Sequence, residues 1–135
     1  MLESEALTGS ALGAAIRVHR FLGPGLLESA YQASLHHELL LRGHRVSSQV
    51  PVRVNYRGME LDCAYVLDLL VDDALVIEIK SVEALLPVHE AQLMTYLRLT
   101  GKRVGLLINF NVPVLRDGVR RRVLGPIAGS SGAAR

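Results

Sequence analysis

Two charged residues stand two positions apart in an otherwise apolar run near the middle of the chain. Residues 74–80 read ALVIEIK and contain Glu78 and Lys80, one of only two lysines in the 135-residue sequence. Side chains alternate between the two faces of a strand, so these two charges share a face with Val76. Burying charges on a sheet face is costly unless they are paired or bind a metal. The run is therefore a candidate site.

A third charged residue, Asp68, stands in the preceding apolar run YVLDLLV. If residues 72–74 form a three-residue turn, Asp68 lies opposite Glu78, and opposed residues have Cβ atoms about 4.5–5.5 Å apart on one face. A two-residue turn would instead place Asp68 opposite Ile77 and separate the two acids. The candidate site thus depends on the register of this hairpin.

Two carboxylates that lie close together repel each other, and one of them takes up a proton unless a cation holds both. Mg²⁺ suits such a pair, because it binds one or two carboxylates and completes its shell with water and substrate phosphate. Lys80 on the same face would orient or deprotonate the attacking water, or neutralise charge on the phosphate. The spacing is equally compatible with a plain ion pair between Lys80 and one acid on an exposed sheet face.

Two helical segments carry further polar residues that can lie beside this sheet. Glu28 and Tyr31 stand three residues apart near the start of one helix, and such neighbours lie close together on a helix surface. Gln92 and Tyr96 stand four residues apart on another helix. Glu28 could supply a metal ligand, and the other pair could hydrogen-bond the site or a nucleic-acid backbone. Taken singly, a helix-dipole acid explains Glu28 better, and a solvated stripe explains Gln92 and Tyr96 better.

The elements that position these residues follow from hydrophobic periodicity and turn signals. Helices are predicted for residues 9–22, 26–42 and 88–100, strands for 46–56, 59–71, 74–80 and 103–110, and a short edge hairpin for 114–124. The first three strands are expected to pair antiparallel, and the strand after the last helix to return parallel beside the third through a right-handed crossover. The sequence therefore predicts an α/β fold with a mixed central sheet flanked by helices.

Length and composition favour one domain over residues 1–125 and a small, polar, flexible tail over 126–135. No stretch approaches the roughly 18 unbroken apolar residues of a membrane helix, and the N-terminus does not resemble a signal peptide, so we expect no membrane association. The lone cysteine, Cys63, cannot form an internal disulfide. We interpret it as a core residue of a cytoplasmic protein.

Charge and aromatic content say less about the partner. The net charge is +2 and the isoelectric point is about 9, which is weak support for a polyanionic partner. Arg116 and the run Arg120–Arg122 could contact phosphates, although a solvated sheet edge explains them better. Aromatic residues make up 4% of the chain, so base stacking is not expected to be the main binding mode. The five histidines form no metal motif.

These residues resemble those of a known family. Gly25, Glu28 and Tyr31, in GLLESAY, match the signature of the GxxExxY proteins, a bacterial and archaeal group placed in the PD-(D/E)XK nuclease superfamily. The similarity continues through YVLDLLVDDALVIEIKSVEALLPVHEAQLMTYL to GKRVGLLINFNV and covers most of the chain. It is therefore more specific than an isolated ExK pattern.

The resemblance implies a restriction-endonuclease-like core in which Asp68 is the first motif acid, Glu78 the second and Lys80 the motif lysine. Leu67 stands where the superfamily's name has proline, which is a common departure.

The resemblance also implies that Glu28 is the acid of the first core helix, and that Gln92 and Tyr96 form the QxxxY element of RecB-like exonuclease branches. We place Glu28 with Asp68 and Glu78 as metal ligands, and Tyr31 with the QxxxY pair as substrate-positioning residues.

The function that we expect is Mg²⁺- or Mn²⁺-dependent hydrolysis of nucleic acid by an activated water. We favour DNA over RNA as the substrate. The residues do not distinguish an endonuclease from an exonuclease. The small size favours recognition by a homo-oligomer or with a partner protein. A non-catalytic binding module that retains the fold is the alternative, and a metal-binding protein without a nucleic-acid role is a third hypothesis.

Overall fold

The computed structural model describes residues 2–61 and 65–125. The helices are α1 (Leu2–Leu22), α2 (Glu28–Leu41) and α3 (Pro87–Thr100). The strands are β1 (Val46–Val52), β2 (Asn55–Tyr56), β3 (Met59–Glu60), β4 (Tyr65–Val71), β5 (Leu75–Lys80), β6 (Val104–Asn109) and β7 (Val119–Val123), and a 3₁₀ turn spans Leu115–Gly118.

Five of the strands form one mixed sheet in the order β1-β4-β5-β6-β7. The pairs β1/β4, β4/β5 and β6/β7 are antiparallel, whereas β5 and β6 are parallel and are connected through α3. The short strands β2 and β3 form a separate hairpin. This arrangement confirms the predicted α/β fold with antiparallel first strands and a parallel return strand.

The sheet has a hydrophobic core on each face, so the fold has three layers. On one face α1 and α2 pack on β5 through Leu75, Ile77 and Ile79. On the other face α3 packs on Val76 of the same strand. The strict alternation along β5 confirms the predicted division of its side chains between two faces, and it leaves Glu78 on a strand with apolar neighbours on both sides.

Two details of the prediction differ from the structure. The segments 46–56 and 59–71, each predicted as one strand, are both divided, because the hairpin of β2 and β3 leaves the main sheet. The first helix also begins earlier than predicted, at Leu2 instead of residue 9. Its buried stripe of Ala11, Ala14, Ala15 and Val18 packs in the first core, and Leu7 extends this contact toward the N-terminus.

The predicted edge hairpin over 114–124 is wrong. Only Val119–Val123 is a strand, and it pairs with β6 at the sheet edge, whereas the preceding residues form the 3₁₀ turn. Leu115 is buried in the first core, which holds this segment as a helical turn. The Asp117-Gly118 pair resembles a hairpin turn in sequence, but here the glycine serves a close backbone approach: a Cβ on Gly118 would lie 2.2 Å from the carbonyl oxygen of Asn109.

Three expectations fall wholly or partly outside the described residues. Cys63, which we interpret as a core residue, lies in the segment 62–64, outside the described residues. The predicted tail over 126–135 also lies outside them, so the tail and the domain boundary before it stay predictions. As to membranes, none of the helices found in residues 2–61 and 65–125 combines the length and hydropathy needed to span a bilayer.

Candidate active site

The β4–β5 hairpin has the register that the candidate site requires. Val71 pairs with Leu75, so residues 72–74 form a three-residue turn. The two-residue alternative is therefore excluded. The ladder continues for two more pairs, and the next opposed residues along the two strands are Asp68 and Glu78.

Where the backbone ladder between β4 and β5 ends, the side chains of Asp68 and Glu78 make the hydrogen bonds between the two strands. The backbone N–H of Asp68 donates to Glu78 Oε2 at 3.0 Å, and the backbone N–H of Ile79 donates to Asp68 Oδ2 at 2.8 Å. Beyond this point β4 continues to pair with β1 and β5 with β6, but not with each other. The two strands thus separate after Asp68 and Glu78, and we call this opening, with its two acids, the fork. Each of the two carboxylates is held by the backbone of the opposite strand.

The acids of the fork are difficult to ionise together. Burial, and after it the charge of Asp68, raises the pKa of Glu78 to about 8. Burial is also the main cause that raises the pKa of Asp68. The negative charge of Glu28 raises both pKa values further, and the positive charge of Lys80 lowers both. At neutral pH, Glu78 would hold a proton unless a cation replaced it.

Lys80 lies at the end of β5 beside the two acids. Its backbone carbonyl accepts a hydrogen bond of 3.0 Å from the N–H of Phe110. Within residues 2–61 and 65–125 its ammonium makes no hydrogen bond and no ion pair within 4.0 Å, although its charge acts on both acids. The plain ion pair that the sequence left open is therefore not formed, and the ammonium is available to water or phosphate.

Glu28 approaches the fork from the first turn of α2. Its Oε2 accepts a hydrogen bond of 3.2 Å from the backbone N–H of Ser81, the residue after Lys80. It also lines a cleft of about 600 Å³ in which Asp68 forms part of the wall. The structure thus brings Glu28 to the site as an exposed acid at its rim.

Gln92 and Tyr96 of α3 lie on the other side of the fork. The side-chain amide of Gln92 donates to the Tyr96 hydroxyl at 3.2 Å. Burial, followed by the charges of Glu78 and Asp68, raises the pKa of Tyr96. Tyr96 is therefore close enough to interact with the acids, and Gln92 extends the pair to the exposed surface.

Tyr31 is buried, and its contacts are with the fold. Its ring stacks on Phe110 with the centroids 4.5 Å apart. Its hydroxyl donates to the carbonyl of Gly23 at 2.5 Å and accepts from the N–H of Leu26 at 3.1 Å. These contacts hold the loop that leads into α2, while contact between Tyr31 and a substrate stays a prediction.

Two polar residues beside the site, Asn109 and Ser81, were not identified from the sequence. Asn109 is buried, accepts from the N–H of Val82 at 3.0 Å and donates to the Val82 carbonyl at 2.9 Å. It thereby fixes the segment that follows Lys80. The sequence does contain a signal for this role, namely a polar asparagine near the end of the apolar run RVGLLINF. Ser81 had no comparable signal.

The oxygen atoms at the fork fit an ion such as Mg²⁺ or Mn²⁺ that keeps several waters, better than an ion whose ligands all come from the protein. Among the described residues, no three His, Cys, Asp or Glu side chains are grouped so that they could hold an ion. Each fork acid has a second oxygen, Asp68 Oδ1 or Glu78 Oε1, with no hydrogen bond to the described part of the chain. Mg²⁺ commonly uses one or two carboxylates and keeps several waters. Two such oxygens suit this cation.

Comparison with known sequences agrees with the fold. A sequence model described as the PD-(D/E)XK nuclease superfamily matches residues 5–122. The chain therefore belongs to the PD-(D/E)XK nuclease superfamily. No curated protein and no solved structure gave a match. The narrower assignment to the GxxExxY proteins stays a prediction.

Proposed function

We propose that this protein is a Mg²⁺- or Mn²⁺-dependent nuclease that hydrolyses phosphodiester bonds of nucleic acid, in the first place DNA. The observation that carries the proposal is the fork, in which Asp68 and Glu78 hold each other's strands and burial raises the pKa of Glu78 to about 8. A buried, opposed pair of acids is unfavourable alone and becomes favourable when a divalent cation and a phosphate join it.

In this proposal Asp68 and Glu78 would hold the ion through their second oxygens, and Glu28 would act on it from α2 through a retained water, because the three acids are not grouped as direct ligands. The bound cation would polarise the phosphate and lower the pKa of a bound water. Holding the acids in place is the task of the backbone bonds at the fork, so the site is organised before the ion arrives.

Lys80, whose ammonium has no partner among residues 2–61 and 65–125, would orient the attacking water or stabilise the negative charge that develops on the phosphate. Gln92 and Tyr96 would position the nucleic-acid backbone from the α3 side, since Gln92 is exposed and bonded to Tyr96. Tyr31 would act on the substrate only through the loop that it holds.

We take DNA as the substrate because Gln92 and Tyr96 resemble the element of RecB-like exonuclease branches. We place the protein in the cytoplasm, because a lone cysteine fits a reducing compartment. A second copy of the chain or a partner protein would supply sequence or structure recognition.

The test is cleavage of linear and circular DNA, single- and double-stranded, and of RNA, with Mg²⁺ or Mn²⁺ and with EDTA. Lys80→Ala and Glu78→Gln are expected to lower the rate by at least about 100-fold, since the first removes a positive charge that stabilises the phosphate and the second removes a carboxylate that would hold the cation. Lys102→Ala is the matched control, because this other lysine pairs with Asp73 at 3.0 Å, beyond the opposite end of β5.

Undiminished cleavage in Lys80→Ala and Glu78→Gln would contradict the proposal. Binding of nucleic acid without cleavage under any of these conditions would favour the non-catalytic module instead.

A further inference from the structure

Glu28 follows a loop whose backbone needs external support. Gly23 and Gly25 both adopt left-handed conformations, with φ of 71° and 99°. Glycine is the residue that loses most conformational freedom on folding, so such a loop is ordered only where contacts hold it. The position of the Glu28 carboxylate, which is exposed, therefore depends on what binds this loop.

Ser81 binds the loop at two points. Its backbone N–H donates to Glu28 Oε2 at 3.2 Å, and its hydroxyl donates to the carbonyl of Leu26 at 2.5 Å. Ser81 directly follows Lys80 in the chain. The two hydrogen bonds thus connect the loop and its acid to the end of the strand that carries the other site residues.

Both sides of this connection are fixed to the core. On the loop side, the Tyr31 hydroxyl binds Gly23 and Leu26, and the Tyr31 ring stacks on Phe110. On the strand side, Asn109 holds Val82, the residue after Ser81, with two hydrogen bonds. Ser81 is the element that joins these two anchored segments, because its hydroxyl bonds the Leu26 carbonyl directly.

We propose that Ser81 is a positioning residue whose hydroxyl holds Glu28 where it can act on the cation of Asp68 and Glu78. This proposal rests on the proposed function. Without the hydroxyl, the Leu26 carbonyl loses its donor, and the single backbone contact to Glu28 no longer fixes the direction of α2's first turn. Ser81 itself does not contact the reacting atoms.

The experiment measures Mn²⁺ binding by calorimetry without nucleic acid, together with cleavage. Residues that orient a metal ligand typically change metal affinity by about 10- to 100-fold when removed, and we expect Ser81→Ala to weaken Mn²⁺ binding by about tenfold. Glu28→Gln should weaken it as much, and the double variant no further, since Ser81 acts through Glu28. Ser34→Ala is the control for loss of a hydroxyl, because Ser34 lies on α2, the helix of Glu28, but takes no part in the hydrogen bonds of Ser81.

A pair of larger substitutions separates the hydroxyl from packing. Ser81→Thr keeps the donor and should retain wild-type Mn²⁺ affinity, whereas Ser81→Val has a similar size without the donor and should bind like Ser81→Ala. If one variant does not fold, the remaining ones still decide the question.

The outcomes distinguish the two proposals. A wild-type protein that neither binds Mn²⁺ nor cleaves would overturn the proposed function. A wild-type protein that binds Mn²⁺, with Ser81→Ala binding equally well or with additive losses in the double variant, would overturn the positioning role alone.

Discussion

The carboxylate of Glu78 is in an environment that favours its neutral form. Its residue is 5% exposed, its strand neighbours are apolar, and Asp68 is the opposed residue. One backbone N–H bond favours the ionised form but does not offset burial. The energetic cost of ionising Glu78 in the absence of a cation should therefore be visible in the stability of the protein.

The first prediction concerns the pH dependence of stability in EDTA. The pKa of Glu78 rises from its ordinary 4.5 to about 8 on folding. Between these values the unfolded chain releases the proton before the folded one, so the free energy of unfolding falls as pH rises and levels off above pH 8. The contribution approaches about 1.4 kcal/mol per pH unit. Glu78→Gln should remove it in urea unfolding between pH 5 and 8.

The exposed pair of Glu60 with Arg53 provides the control for this measurement. Glu60→Gln removes a carboxylate outside the fork, so this variant should retain the fall in stability with pH that Glu78 causes. Identical profiles for wild type and Glu78→Gln would mean that the fork does not disfavour ionisation.

The second prediction distinguishes the two roles of Tyr31. Tyr31→Phe keeps the ring stacked on Phe110 and removes the hydroxyl that bonds Gly23 and Leu26. We expect a loss of about 1–2 kcal/mol in the free energy of unfolding, because two partly buried hydrogen bonds are lost. The KM for nucleic acid should change little. A raised KM at unchanged stability would instead support the predicted contact with substrate.

The strands show where sequence patterns were sufficient and where they were not. Alternation along residues 74–80 followed from apolar periodicity, which reflects burial of whole faces. The parallel return of β6 followed from the helix that precedes it and from the right-handed crossover rule. The register of the β4–β5 hairpin could only be narrowed to two choices, since both turns satisfy the pattern. The backbone bonds of Asp68 and the contacts of Ser81 are tertiary, and local sequence carries no record of them.

The third prediction concerns the 3₁₀ turn over Leu115–Gly118, which lies where the sequence predicted a hairpin. Gly118→Ala places a Cβ 2.2 Å from the carbonyl oxygen of Asn109, so backbone must move. We expect a loss of about 2–4 kcal/mol, typical of overpacking and strain. Gly9→Ala is the control: apart from its chain neighbours and the backbone of its own helix, no heavy atom lies within 4 Å of the new Cβ in the middle of α1. Alanine should stabilise that helix by up to about 1 kcal/mol. Equal effects in chemical unfolding would contradict this account.

A hydrogen-bonded chain ties α1 to the end of the sheet opposite the fork. Ser10 Oγ lies 2.7 Å from His44 Nε2, and His44 Nδ1 lies 2.7 Å from Asp72 Oδ2. The order of groups resembles a nucleophilic triad. Ser10, however, lies inside a continuous helix, whose amides bond within the helix and cannot stabilise an oxyanion. This chain is therefore best explained as a structural tie between helix and turn.

The molecule as a whole places the fork between its two cores. The core with α1 and α2 contains Tyr31, and the core with α3 contains Tyr96, so each layer contributes to one side of the opening between β4 and β5. Arg120 and Arg122 on β7 both pair with Glu90 and lie at the sheet edge. The site is thus assembled by packing of three layers, and binding at the fork should stabilise the entire fold.

The fourth prediction follows from this coupling. A cation that binds the folded state alone adds a stabilisation of about 2.7 kcal/mol when present at 100 times its dissociation constant. We expect Mn²⁺ and Mg²⁺ to raise the melting temperature of the wild type at pH 8, where protons compete least for Glu78, and to raise it less at pH 5.5. Asp68→Asn and Glu78→Gln should abolish the increase. Asp73→Asn, which removes an exposed acid from the other end of the hairpin, should retain it. An equal rise in all four proteins would mean that the ions bind elsewhere and that the two acids of the fork do not form the metal site.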